Sequence, residues 1–507
     1  MPNKQDSNLT GLSYAEESTL GVLPGTPIWY GLEPNSYSDF GGQIATVARN
    51  PINASRQRKK GTVTDLDASG GFNQDLTQNN LTRILQGFFF ADIREKPSTQ
   101  PMNGAAVALT AIAAAADDYT AASGLPTTIV SGNLLLASGF GVAANNGLKL
   151  ANATSTATAI SVSDSLSDEA SPPAAAKVQV VGFQFGSGTS SISKNGELVR
   201  FNDSATNLTT LGLIVGEWVY IGGDATAMHF ATNAGGFARI SAIAAGYLEF
   251  DKVSWTATAE TGTGKTIQMF FGSVQRNEPD PADIIRRTYN IERTLGEDDN
   301  GTMSEYLVGA VANELTVNIP QADKVNMDLT FVAIDNQQRD GTTGVKSGTR
   351  PTLTAEDAIN TSSDFARIKL ALASATDAAV TPLFAFATEL TLTINNNVSP
   401  NKAIGTLGAF DTSTGTFEVG GSMTVYFADV AAVEAVRNNS DVTLDIAIAK
   451  NNAGILFDIP LLSLGDGRLN VEQDQPITLP LEQNAAESSF GYTFLMMTFP
   501  YLPTAAE

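Results

Sequence analysis

Phe490, Tyr492, Phe494 and Met496 alternate with Gly491, Thr493, Leu495 and Met497. That period of two predicts a strand covered on at least one face. Two further runs, Gln43-Ile-Ala-Thr-Val-Ala-Arg-Asn50 and Glu389-Leu-Thr-Leu-Thr-Ile-Asn-Asn396, also read as strands. Helical spacing is scarce. Leu81, Ile84, Leu85 and Phe88 form an i, i+3, i+4, i+7 stripe, which predicts a short helix capped by Asn79 or Asn80. A second short helix is expected from Asp429, carrying Val430, Val433 and Val436. The chain is therefore predicted to be mainly β.

These elements recur in the same order near the two ends of the chain. Each of the two predicted strands is followed by a loop, a Gly-Gly pair (Gly70-Gly71 and Gly420-Gly421, 350 residues apart), another strand and a short helix. Later segments, Gly309 to Ile334 and Pro460 to Gln483, correspond more loosely. Two copies of one β-sandwich with a flanking helix account for this order.

Between them lies a different pattern. From Pro101 to Ser163 the only charged residues are Asp117, Asp118 and Lys149, and Ala, Thr, Ser, Gly and Asn dominate. Short β-rich runs at Thr127–Val130, Leu134–Leu136 and Val178–Val181, separated by Gly and Asn turns, favour small β structure over a disordered linker. Ile129–Leu136 resembles Ile214–Ile221, Asn145–Leu150 resembles Asn233–Ala238, and Val178–Val181 resembles Ile267–Phe270, at offsets of 85, 88 and 89 residues. Residues of about 105–185 and 190–275 thus read as tandem copies of one small β-barrel or sandwich. The predicted boundaries are 1–104 and 276–350 for the first sandwich, 105–188 and 189–275 for the inserted pair, and 351–507 for the second sandwich.

Composition then removes much of the enzymatic repertoire. The chain has 507 residues, no cysteine and one histidine. Disulfides, thiol nucleophiles and thiolate metal sites are excluded, and any Ser–His–acid triad would have to use His229. With 30 basic and 53 acidic residues the net charge is −23, which opposes general attraction to phosphate backbones. The N-terminal residues lack the apolar stretch of a secretory signal, and the run Val107–Ala116 is too short to span a bilayer. A soluble chain made in a cytosol is expected.

Individual motifs add little chemistry. Ala259-Glu-Thr-Gly-Thr-Gly-Lys-Thr266 satisfies a relaxed phosphate-loop pattern, but strand-like Ile267–Phe271 follows where a helix is required. Its sister segment, Ser171–Lys177, has no such pattern. A hairpin turn is predicted. Asp65-Leu-Asp-Ala-Ser-Gly-Gly71 begins like a calcium loop, yet position twelve is Leu76 instead of a bidentate Glu. Here the glycine pair is expected to let a strand begin after a tight bend. His229, between Met228 and Phe230, reads as a packed residue. No catalytic residue, metal or cofactor is expected.

The sharpest charge feature is Arg56-Gln-Arg-Lys-Lys60, preceded by Arg49. Arg49, Arg56, Arg58, Lys59 and Lys60 form either a solvated hairpin tip or a docking loop for an acidic face of a neighbouring copy. Nucleic-acid binding is disfavoured by the overall charge and the lack of interleaved aromatics. Arg286 and Arg287 form a second candidate contact cluster.

Tyr14-Ala-Glu-Glu-Ser-Thr-Leu-Gly-Val-Leu-Pro-Gly-Thr26, Arg56 through Phe89 and Glu389 through Pro503 together resemble the major tail tube protein of long, non-contractile-tailed bacteriophages. The resemblance covers roughly 1–100 and 280–507 and leaves the inserted pair outside it. It implies a structural virion protein whose β-sandwiches join neighbours into rings, stacked into a tube through which DNA leaves without specific binding. The implied partners are further copies of the chain and the tail initiator, terminator and tape-measure proteins, with synthesis in the bacterial host cytoplasm. Family rings hold six sandwich units, so two units per chain suggest a homotrimer with pseudo-sixfold symmetry, the alternative being a hexamer. The N-terminal segment and the Arg56–Lys60 hairpin are then candidates for ring-to-ring contact, and the inserted domains are expected on the outer surface. An exported adhesin or S-layer-like protein fits the composition but would need an export signal. A phosphate-loop enzyme would rest on 259–266 alone.

Overall fold

Four strands and one helix precede the insertion: β1 (Gly11–Glu16), β2 (Tyr30–Leu32), β3 (Pro34–Arg49), β4 (Lys59–Asp75) and α1 (Thr82–Phe89). The computed structural model describes residues 5–52, 54–373, 382–384, 386–428 and 430–506. Ile84, Leu85 and Phe88 of α1 are buried as the stripe requires. Its N-cap is Leu81, without a side-chain cap bond. Asn79 and Asn80 do not cap it, because Asn79 instead donates its amide to Glu356 at 2.9 Å.

The insertion contributes β5 (Leu109–Ala113), β6 (Asp118–Ala121), β7 (Asn133–Ser138), β8 (Gly147–Leu150), β9 (Ala159–Ser161) and β10 (Lys177–Gln184). It continues with β11 (Ser190–Asn195), β12 (Leu198–Asp203), β13 (Trp218–Ile221), β14 (Gly236–Ala244), β15 (Tyr247–Val253), β16 (Glu260–Thr261) and β17 (Gln268–Phe270). One pairing scheme occurs twice. β5–β6–β9 and β10–β7–β8 in the first half match β11–β12–β15 and β17–β13–β14 in the second. β10 pairs with β17 antiparallel, with Phe183 opposite Met269, so most strands of both halves join one ten-stranded sheet. Thr127–Val130, expected as β, is a turn and loop; Asn133, whose side chain accepts from the Val130 N–H at 2.7 Å, closes that turn instead.

The chain then returns through β18 (Ser273–Arg276), β19 (Tyr289–Asp298), β20 (Gly301–Ile319), β21 (Asn326–Ala333), β22 (Asp335–Arg339), β23 (Phe365–Leu372) and β24 (Ala387–Asn395). After a small hairpin, β25 (Ser399–Lys402) and β26 (Ala409–Ser413), come β27 (Glu418–Tyr426), α2 (Ala431–Arg437), β28 (Val442–Lys450), β29 (Ala453–Asp466), β30 (Thr478–Ala485) and β31 (Leu495–Phe499). The expected helix start at Asp429 lies outside the described residues. In α2 the buried positions are Ala432 and Ala435, while Val433 and Val436 are partly buried and Val430 is exposed. Neither helix is long and apolar enough to cross a membrane.

Here too one order repeats. β3–β4–β21–β20 and β24–β27–β30–β29 are four-stranded units with the same connections, and in both a helix follows the second strand. The glycine pairs lie inside β4 and near the start of β27, not at a bend before a strand. A Cβ on Gly421, at φ +144°, would meet the Thr391 carbonyl at 2.0 Å. Glycine there permits close strand approach.

β28 and β29 are buried on both faces, which explains their near-continuous apolar runs. Ile446, Ile448 and Phe457 enter the main core with Phe72, Leu329 and Met423. Ala447, Ala449 and Leu456 face the other way, where Trp218, Phe237 and Phe270 of the insertion pack with Leu495, Met497 and Phe499. The insertion therefore covers the face of β28, β29 and β31 turned away from the main core.

Candidate functional site

The two four-stranded units meet edge to edge within the chain. β20 pairs with β24 antiparallel from Glu314↔Asn395 to Ile319↔Leu390, giving one eight-stranded band in the order β3-β4-β21-β20-β24-β27-β30-β29. Period-two alternation sends Leu315, Leu329, Leu392, Met423 and Leu481 into the core. The opposite face carries Asp75, Glu314, Asp328, Glu389, Glu418 and Glu482 among Thr, Ser and Asn. Six of these strands, β20, β21, β24, β27, β29 and β30, contain no lysine or arginine, and the basic residues of β3 and β4 lie at the far end of that pair. Lys324, at the rim, reaches Asp75 at 2.7 Å.

Both ends of the band are open. Among the described residues β3 pairs only with β4, and Ser463–Asp466 of β29 pair only with β30. Beside the β3 edge runs a groove of about 760 Å³, lined by Ser7, Thr10, Leu32, Tyr37, Gln74 and Glu356 among others. The Gln74 side chain is 1% exposed, and neither its Oε1 nor its Nε2 has a partner in the chain. Buried amides are normally satisfied. An open strand edge presents backbone N–H and C=O groups to which a further strand can be added.

Beyond Gly42 the β3–β4 ribbon leaves the sheet and stands exposed. Arg49, Arg56, Arg58, Lys59 and Lys60 all lie on it and all are exposed. Arg56 holds the turn at φ +57°, and Arg58 Nε donates to Asn50 Oδ1 at 3.4 Å. Ile44, Val47 and Val63 are exposed on the same ribbon. One contact missed in the sequence props it. Lys402, from the β25–β26 hairpin of the second unit, reaches Asp65 Oδ2 at 2.5 Å and also Asp67. That hydrogen bond holds the Asp65 carboxyl below the usual carboxylate range, and no sequence pattern links residues so far apart.

The second basic cluster is split, with Arg286 exposed and Arg287 buried, and both bind groups of the same chain. Arg286 donates to Thr412 O at 2.5 Å and Asp411 Oδ1 at 3.0 Å. Arg287 is 6% exposed and donates to Ala91 O at 3.1 Å and to Asp92. The structure does not bring either to the ribbon.

The chemical motifs resolve into turns and strands. Glu260 and Thr261 pair with Ile192 and Ser191, the chain turns, and Gln268–Phe270 forms a strand, with no helix after Lys265. Lys265 Nζ donates to Thr226 O at 2.5 Å. Residues 65–71 lie within β4. His229 Nδ1 sits 2.7 Å from Phe230 O. Among the described residues no group of His, Asp and Glu is placed to hold a metal ion.

A family model described as phage tail tube protein matches residues 7–485. The match covers nearly the whole chain, insertion included, so the chain belongs to the phage tail tube family. No curated protein matches it.

Proposed function

We propose that this tail tube subunit closes into a ring of three chains, each supplying two sandwich units, and that the rings stack into a conduit for DNA. One observation carries the reading: the β20–β24 seam already joins two like units inside the chain, while β3 and the end of β29, the corresponding edges, stay open. Repeating the seam between chains uses the same backbone groups in the same directions. A heterologous joint of this kind closes when its rotation divides a full turn. Three chains would supply six units.

The carboxylate- and amide-lined face of the band would then turn to the lumen. A surface without cations gives passing DNA nothing to hold, and its negative charge keeps the phosphates in solution. The exposed ribbon with Arg49, Arg56, Arg58, Lys59 and Lys60 would reach an adjacent ring. The N-terminal segment, beside the open β3 edge, would join that contact. The inserted pair, on the face away from the band, would form three projections on the outside. Initiator, terminator and tape-measure proteins are the expected further partners.

Negative-stain electron microscopy of the purified protein over a concentration series tests the reading. Rings or tubes with threefold averages and three outer projections are expected. Ser36→Lys with Ser38→Lys places charge on the β3 edge and should leave folded monomers without rings. Sixfold averages with six projections would replace the trimer by a hexamer, and rings formed by the edge variant would remove the proposed seam.

A further inference from the structure

We propose that the Lys346 amine condenses with the Asn290 side-chain amide to form an isopeptide bond within the chain, with Glu17 carrying protons between the two nitrogens. The three residues come from three separate places: Glu17 just after β1, Asn290 on β19, and Lys346 in the segment that leads from the first sandwich unit to the second. Lys346 Nζ lies 2.6 Å from Asn290 Oδ1, which places the amine against the amide one bond from its carbonyl carbon. On the other side of the same amide, Asn290 Nδ2 donates to Glu17 Oε1. Asn290 thus lies between the amine and the carboxylate, each in hydrogen-bond contact with its amide, so the three groups are already held together.

The surroundings suit the reaction. Asn290 is 1% exposed and Glu17 8%. Thr288 Oγ1 at 2.7 Å, Gly309 N at 2.8 Å and Gly21 N at 2.7 Å also donate to Glu17, so its carboxylate cannot swing away. The Lys346 Nζ stands 4.3 Å from the centre of the Tyr306 ring, and the Lys346 N–H donates to Tyr306 Oη at 2.8 Å. Trp29, fully buried, meets the Tyr306 ring edge-on at 5.9 Å. Burial, with the charge of Arg339 adding to it, pushes the Lys346 ammonium down to about 8, so a usable fraction of the amine is neutral near neutral pH.

The step balances without an oxidant or external reagent. Glu17 takes a proton from the Lys346 ammonium, and the freed amine adds to Asn290 Cγ. Glu17 passes its proton to Nδ2, the Cγ–Nδ2 bond breaks, and ammonia leaves. The remaining extra proton on the new amide nitrogen departs with it as ammonium. A Nζ–Cγ amide replaces the Cγ–Nδ2 amide, and Glu17 returns to its starting form. The bond would tie the inter-unit segment to β19, closing a loop between residues 56 positions apart.

Intact-mass measurement of the denatured full-length protein decides the matter. The wild-type chain should be lighter than its sequence by one ammonia, and proteolysis should release one branched peptide joining Asn290 to Lys346. Lys346→Arg and Asn290→Ala should each restore the full mass. Glu17→Gln should stay at full mass while circular dichroism shows the same β content. A wild-type chain at full sequence mass after incubation of the folded protein near pH 8 overturns the proposal. So does an ammonia loss that persists in Lys346→Arg, which would come from cyclisation of an asparagine on its own backbone.

Discussion

Arg239 of the insertion and Asp458 of the tube body form an ion pair at 3.0 Å with side chains 3% and 0% exposed. Arg239 also binds Asp251 at 2.6 Å, while Tyr492 Oη donates to Asp458 at 2.9 Å and to Gly216 O at 3.0 Å. The insertion is thus held to β29 and β31 by a buried polar network as well as by the Trp218–Phe499 cluster. Such a network is costly to break from one side, because the partner charge stays buried.

Arg239→Ala should therefore destabilise the chain by about 3–5 kcal/mol. Replacing Asp458 as well should recover part of the loss, since the fully buried carboxylate is then gone and only Asp251 is left without its guanidinium. Denaturant unfolding of the single and double variants checks this, with limited proteolysis showing whether the insertion loosens first.

The Lys402–Asp65 contact predicts a pH effect of definite sign. Asp65 is held below its ordinary range by the Lys402 ammonium, so the contact contributes above the unfolded carboxylate pKa, about 3.9, and is lost as pH falls through the lower folded value. Hydrogen exchange in residues 399–413 should be slow at neutral pH and faster only below about pH 4. Lys402→Ala should show the fast pattern already at neutral pH.

Replacing Arg56, Arg58, Lys59 and Lys60 with Ser removes four of the five cations of the exposed ribbon but no buried group. Folded subunits that fail to form tubes are expected, and wild-type assembly should slow as salt rises. Light scattering against ionic strength, with micrographs of the variant, measures both; unimpaired tubes would leave the ribbon as a solvated tip.

Lysines placed on the acidic face, for example Asp328→Lys with Glu482→Lys, should permit assembly yet retard DNA. Normal ejection kinetics from particles carrying this variant would argue against that face lining the lumen.

Much of the α1 stripe was legible, because Ile84, Leu85 and Phe88 obey a local period that only a helix satisfies. Its cap was not, since Asn79 is taken by Glu356, far away in the chain. The alternation at Phe490–Met497 marked a strand, but the paired residues are Leu495–Phe499. Tyr492 is held instead by Asp458 and Gly216, and both faces are buried, so alternation alone could not set the boundary. The different surroundings of Arg286 and Arg287 were hidden for the same reason: their acceptors, Thr412 and Ala91, are not neighbours in sequence, and Arg286 stays exposed while Arg287 is buried.

Local periodicity was enough to determine a mainly β chain with a short helix at α1, since it acts over a few residues. Tertiary structure decided the rest. It joined β20 to β24, left β3 and the end of β29 open, bound Arg286 and Arg287 to acceptors distant in sequence, and brought Glu17, Asn290 and Lys346 into contact. Those outcomes depend on which distant strands pair and which side chains lose water together, and no pattern of neighbouring residues encodes either.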